Sequence, residues 1–71
     1  MNSTLDAKKI GANLKSLRGN KTQREVANAL GITTMAISQY ENGDRIPRDE
    51  IKVKISKYYN RSIDELFFNP M

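Results

Sequence analysis

The sequence predicts an all-α fold in which five short helices surround one small core. Apolar residues recur at three- and four-residue spacing, as they do on the buried stripe of a helix. Residue types that start and stop helices stand at the ends of these stretches, and no stretch alternates between apolar and polar as a half-buried strand would. The chain has 71 residues, 38% of them hydrophobic, which predicts a single domain spanning residues 1–71.

The first helix is predicted from about Asp6 to Arg18. Apolar side chains at helical spacing give it one buried stripe, which consists of Ala7, Ile10, Leu14 and Leu17. Its outer face carries Lys8, Lys9 and Lys15. A glycine and an asparagine follow at positions 19 and 20 and end the helix, because both residue types favour the conformations found after helices and in turns.

The starts of the second and third helices are marked by capping residues. Thr22 and Glu25 have the spacing of a capping box, in which each side chain accepts a hydrogen bond from the backbone N–H of the other residue. Thr33 is the predicted cap of the third helix, and Ile32 and Ile37 flank it at the spacing of a hydrophobic staple. Such a staple would fix the angle at which the third helix enters the fold.

Residues 23–42 fit a helix-turn-helix and read QREVANALGITTMAISQYEN. Ala27 is small enough for two helices to approach closely, and Gly31 is free to take the positive φ that the bend requires. Apolar side chains occupy the places where two crossing helices face a common core, namely Val26, Leu30, Ile32, Ile37 and Tyr40. Because this motif presents a helix to the major groove, double-stranded DNA is the first partner to consider.

The remainder of the chain predicts a loop and two further helices. Residues 41–47 are rich in turn formers and contain a proline, so they are predicted to form the loop. A fourth helix begins near Arg48 and ends at residues 59–60, with an apolar stripe of Ile51, Ile55 and Tyr58. Ser62 and Glu65 form a second capping box pattern. It opens a short fifth helix that carries Leu66, Phe67 and Phe68.

Composition narrows the classes of function. The chain contains no cysteine and no histidine, so it cannot build the usual zinc site, a thiol nucleophile or an imidazole acid–base centre. An enzyme is therefore not expected, and no metal, cofactor or small-molecule ligand is indicated. The net charge of +4 and the pI of about 9.6 favour a polyanionic partner without naming one. No apolar run is long enough for a signal peptide or a membrane span, so no membrane association and a cytoplasmic location are expected.

The chain resembles the Cro/repressor-type helix-turn-helix family, often called XRE-like, which includes phage repressors and many small bacterial regulators. The resemblance covers nearly the whole chain and rests on Thr22-Gln23, Glu25, Ala27, Gly31, Tyr40-Glu41-Asn42-Gly43, Pro47 and Ser62-Ile63-Asp64-Glu65-Leu66-Phe67. It implies a compact five-helix lambda-repressor-like domain that binds DNA. It also implies a buried or half-buried ion pair between Arg18 and Glu41, which would make both residues structural.

The third helix is predicted to read bases, because side chains at the N-terminal end of such a helix reach the base edges. The predicted base-reading residues are Thr33, Thr34, Met35, Ser38 and Gln39. Glutamine can donate and accept at the N6/N7 edge of adenine, and threonine or methionine can pack on the thymine methyl, so a site with A·T pairs is expected. Two alternatives stay open: Thr33 could only cap the helix, and Met35 could be a core or dimer residue.

Phosphate contacts are predicted for residues at the edges of the motif. Gln23 is the leading candidate, because its side chain and backbone N–H lie at the positive end of the second helix. Asn42 matches a backbone contact in the family that the chain resembles. The basic candidates are Arg24, Arg45 and Arg48, followed by Lys15 and Lys21.

A homodimer is expected on a pseudo-palindromic operator, because one recognition helix buries too little surface for tight, selective binding. Two half-sites about 34 Å apart, each bound by one copy, increase both affinity and selectivity. Phe67 and Phe68 are the apolar candidates for the dimer interface, with core packing as the alternative. The predicted function is a small transcriptional regulator that represses by occupying a promoter. The alternatives are an antitoxin that binds both its own operator and a toxin, and a protein-interaction module built on the same fold.

Overall fold

The computed structural model describes residues 6–68, and within this range the chain forms helices joined by short turns and loops, with no strand. The elements are α1 (Ala7–Arg18), α2 (Gln23–Leu30), α3 (Thr34–Asn42), α4 (Asp49–Tyr59) and α5 (Asp64–Phe68). The first four are α-helices, and α5 is a single turn of π-helix. The predicted all-α fold of five short helices is therefore confirmed.

Both capping boxes that the sequence predicts are present. At the start of α2, the hydroxyl of Thr22 accepts from the backbone N–H of Glu25 at 3.0 Å, and the Glu25 carboxylate accepts from the N–H of Thr22 at 2.7 Å. Ser62 and Glu65 make the same two bonds ahead of α5, both at 3.0 Å. Thr33 caps α3 by accepting from the N–H of Ala36 at 3.0 Å. These bonds satisfy backbone donors that a helix start leaves without a partner.

The core lies where the helices meet and is built from the predicted apolar stripes. Its buried members are Ile10, Leu14, Val26, Ala27, Leu30, Ala36, Ile37, Tyr40, Ile51, Ile55, Leu66 and Phe67. Ile32 is partly buried against this cluster, and Ile37 belongs to it, as the predicted staple requires. Full burial of one large aliphatic or aromatic side chain contributes about 1.5 to 3 kcal/mol, so this cluster is the main source of stability in a chain without disulfides.

Helix α1 packs directly on the C-terminal end of α3, and a glycine makes this possible. A Cβ atom at Gly11 would lie 2.5 Å from the carbonyl oxygens of both Tyr40 and Glu41. No side chain fits at that distance, so the two backbones touch at this point. The packing of α1 therefore holds α3 at a fixed position in the domain.

Candidate nucleic-acid interface

The N-terminal end of α3 projects from the domain. Thr33, Thr34 and Met35 are exposed, and Met35 keeps 70% of its surface open to solvent. The opposite side of the helix carries the buried residues Ala36 and Ile37. This arrangement leaves the first turn of α3 free for a partner, and it excludes the alternative that Met35 is a core residue.

Ser38 and Gln39 lie one turn further along α3 and are only half-exposed. The Ser38 hydroxyl accepts from the amide nitrogen of Asn42 at 3.3 Å. The side-chain oxygen of Gln39 accepts from Nη1 of Arg45 at 3.0 Å. Two predicted phosphate-binding residues, Asn42 and Arg45, are thus bonded to two predicted base-reading residues.

Gln23 occupies the first position of α2 and is half-buried beside α3. Its side-chain nitrogen donates to Oε1 of Glu41 at 3.0 Å, which ties the start of α2 to the end of α3. The first N–H groups of a helix have no partner within that helix and carry the positive end of its dipole. The structure therefore holds Gln23 in place next to a set of donors suited to an anion.

A buried carboxylate joins the three helices around the motif. Glu41 is only 3% exposed, and it accepts from Nε of Arg18 at 2.8 Å and from Nη2 of Arg18 at 3.1 Å, in addition to the bond from Gln23. The pair that the family resemblance implies is confirmed. The hydrogen bond to Glu41 raises the pKa of Arg18. Burial, followed by the nearby Glu41 charge, raises the pKa of Tyr59 to about 12.

The other predicted basic contacts are distributed around the motif. Arg24 is exposed in the first turn of α2, and Arg48 is exposed at the cap of α4. Lys15 is exposed on α1. The ammonium group of Lys21 lies 5.5 Å from the ring centroid of Tyr58, so this side chain is directed towards α4.

The predicted dimer interface needs one correction. Phe67 is completely buried and belongs to the core, so it cannot line a surface of this domain, and its assignment to an interface is wrong. The turn of α5 directs Leu66 and Phe67 inward together. Phe68 is 56% exposed and is the member of the pair that remains available to a partner.

Two residues on α1 support the interface without having been predicted from the sequence. Gly11 permits the contact with the end of α3, and Lys8 donates from Nζ to the carbonyl oxygen of Asn42 at 3.0 Å, where α3 ends. A signal for Gly11 does exist, because a glycine inside a helix costs about 1 kcal/mol relative to alanine and therefore marks a close approach. Lys8 has no such signal, since surface lysines are common on helices.

Residues 6–68 contain no helix long and apolar enough to cross a membrane. Over the same range, no group of three or more acidic side chains is placed to hold a metal ion.

The chain is similar to known transcriptional regulators in sequence. The family HTH_3, described as Helix-turn-helix, matches residues 14–66. The cryptic phage CTXphi transcriptional repressor RstR of Vibrio cholerae serotype O1 is 43% identical over 47 residues. That match includes 66% of this chain and 42% of RstR, so this chain spans less than half the length of that relative.

Solved structures agree with the sequence match. The P22 c2 repressor, crystallised in complex with a synthetic operator, has a TM-score of 0.81 and 25% identity, over 86% of this chain and 96% of that one. The clp gene regulator ClgR from Corynebacterium glutamicum has a TM-score of 0.76 and 25% identity, and the match covers 92% of this chain and 71% of that one. These similarities confirm the lambda-repressor-like fold and the XRE-like character that the sequence predicts. The chain therefore belongs to the helix-turn-helix family.

Proposed function

We propose that this chain is a sequence-specific double-stranded DNA-binding transcriptional regulator that represses by occupying a promoter. The observation that carries the proposal is the exposed first turn of α3, which caps and buried contacts hold at a fixed angle. Repression by occupying a promoter needs no catalysis, and we place the protein in the cytoplasm. The similar P22 repressor was crystallised with an operator, and the similar RstR is a phage repressor, which supports the same function here.

Two groups of residues divide the work in this proposal. The base-reading group lies on the projecting side of α3 and consists of Thr33, Thr34, Met35, Ser38 and Gln39. The phosphate-binding group flanks it and consists of Gln23, Arg24, Asn42, Arg45 and Arg48. Phosphate contacts set the position of the protein on the duplex, and base contacts set its sequence preference.

The regulator acts as a homodimer in this proposal. A single small DNA-binding module buries about 600 to 1,000 Å² of protein surface, which is little for tight and selective binding. Two copies related by a two-fold axis would read the two halves of a pseudo-palindromic operator. Phe68 is the exposed apolar residue that we assign to the contact between the copies.

Two glutamines test the division of roles. We expect Gln39→Ala to lose about 1 to 3 kcal/mol of discrimination at one base step in each half-site, because a base-edge contact is removed. We expect Gln23→Ala to weaken binding to all duplexes alike, because a phosphate contact carries no sequence information. Fluorescence anisotropy titrations against duplexes that differ at single steps measure both effects.

The two variants serve as controls for each other, since each shortens a half-exposed glutamine on the same motif. Circular dichroism of both proteins establishes that the fold is kept. If Gln39→Ala weakened binding to every duplex by the same factor, the assignment of Gln39 to the base-reading group would be wrong.

A further inference from the structure

The exposed side chain of Arg45 lies along α3 and contacts two of its residues. Its Nη1 donates to the side-chain oxygen of Gln39 at 3.0 Å, and its guanidinium lies 5.3 Å from the ring centroid of Tyr40. A guanidinium over an aromatic face is attracted by the ring as well as by the hydrogen-bond acceptor. Two contacts from two neighbouring residues of α3 therefore define where this side chain lies.

The backbone of the loop supports the same placement. Gly43 takes a left-handed conformation with φ of 78°, which turns the chain back at the end of α3. The N–H groups of Asp44 and Arg45 then both donate to the carbonyl oxygen of Gln39, at 2.8 and 3.3 Å. Arg45 is thus bonded to Gln39 through its backbone as well as through its side chain.

This bond determines which end of the Gln39 amide is available to DNA. A side-chain amide has one acceptor oxygen and one NH₂ group, on opposite sides of the same carbon. The bond from Arg45 turns the oxygen towards the guanidinium, so the NH₂ group faces away from Arg45. Gln39 is half-exposed and lies on the same face of α3 as Met35, one turn further on, so its side chain belongs to the exposed side of the helix.

We infer that Arg45 is a positioning residue for sequence recognition, which acts by fixing Gln39 as a hydrogen-bond donor. The inference rests on the proposed function of the chain as a DNA-binding regulator. A glutamine free to rotate binds adenine with both ends of its amide, whereas one restricted to donation favours a base edge made of acceptors. Guanine presents two such acceptors, N7 and O6, in the major groove. Guanine is therefore favoured at the step that Gln39 reads, in place of the adenine expected for a glutamine that is free to rotate.

If the phosphate contact assigned to Arg45 above were its whole role, the prediction would be different. Losing such a contact weakens binding to all sequences about equally and lowers the salt slope by about one. Losing a positioning contact changes the base preference at one step. The two roles are therefore separated by comparing sequences, not by affinity alone.

The test uses the full chain and four palindromic duplexes. The duplexes differ only at the base step that Gln39 reads, and each carries a different base there. That step is identified beforehand as the position at which Gln39→Ala loses its base preference. We expect the unmodified chain to prefer guanine there. In Arg45→Ala the preference for guanine over adenine is expected to fall by roughly tenfold, as one lost base contact would produce. Arg45→Lys keeps the charge but lacks the planar fork, so it is expected to lose the preference while its salt slope stays unchanged.

Two further variants complete the design. In a Gln39→Ala background, Arg45→Ala is expected to change no base preference, because the residue through which it acts is gone. Arg48→Ala removes an exposed arginine of the neighbouring loop and is expected to weaken the four duplexes equally. Equal weakening of the four duplexes by Arg45→Ala would overturn the positioning role. If the unmodified chain bound no duplex in preference to another, the proposed function itself would fail.

Discussion

Replacing Glu41 with glutamine is expected to lower the free energy of unfolding by about 3 kcal/mol. The substitution keeps the shape of the side chain but removes the charge that accepts two hydrogen bonds from Arg18. Removing one partner of a buried ion pair typically costs about 3 to 5 kcal/mol, because the other charge stays buried without compensation. The side chain of Arg18 is 16% exposed and keeps a hydrogen bond to the carbonyl oxygen of Lys21 at 2.7 Å, so the lower end of that range applies. Urea denaturation followed by circular dichroism measures the change.

Asp44→Asn is the matched control, since it removes the same charge from an exposed position just after α3. Its effect is expected to stay within about 0.5 kcal/mol, as for most surface substitutions. A loss from Glu41→Gln no greater than that of the control would contradict the role assigned to Glu41 in joining the three helices.

Gly11→Ala is expected to destabilise the domain by about 2 kcal/mol or more. Alanine is the better helix former by about 1 kcal/mol, which would favour the variant if the position were open. The position is not open, because the added carbon would lie 2.5 Å from two backbone oxygens at the end of α3. Overpacking costs typically about 1 to 3 kcal/mol, and backbone atoms cannot move aside as a flexible side chain can, so the collision outweighs the helix preference. Thermal and urea denaturation report the loss.

Gly31→Ala provides the comparison, because a Cβ at that position meets nothing within 4 Å. Its cost comes from the positive φ of 72° alone and is expected to be about 1 to 2 kcal/mol. The two variants also differ in their effect on α3, since only Gly11→Ala pushes two helices apart. A variant at Gly11 as stable as the unmodified chain would show that α1 and α3 do not touch in the way described.

Local signals explain why the helices could be predicted from the sequence. The two capping boxes begin at Thr22 and Ser62, and each involves residues only three positions apart, so the sequence contains all that is needed to recognise them. Gly31 and Gly43 are similarly local, since each takes the positive φ that ends a helix. The projecting residues of α3 follow from the same periodicity, because a helix with one buried face has one exposed face.

Contacts between distant segments could not be predicted in this way. The sequence leaves Phe67 open between a dimer interface and the core, because a helix of one turn has too few residues to define a buried face, and the structure places it in the core. The turn at Gly43 is a local signal, but it does not show which side chain Arg45 meets after the turn, and the structure shows that this is Gln39. The pairing of Arg18 with Glu41 came from the family resemblance alone.

Selection of bound sequences from a pool of random duplexes is the measurement that tests the central claim most directly. We predict enrichment of a pseudo-palindromic site with two half-sites about 34 Å apart, which is roughly ten base pairs from centre to centre. The enriched half-site should change at single positions when residues on the projecting side of α3 are replaced, and keep its sequence when Gln23 is replaced. A pool that remains random after repeated rounds with the folded chain would contradict sequence-specific recognition by α3.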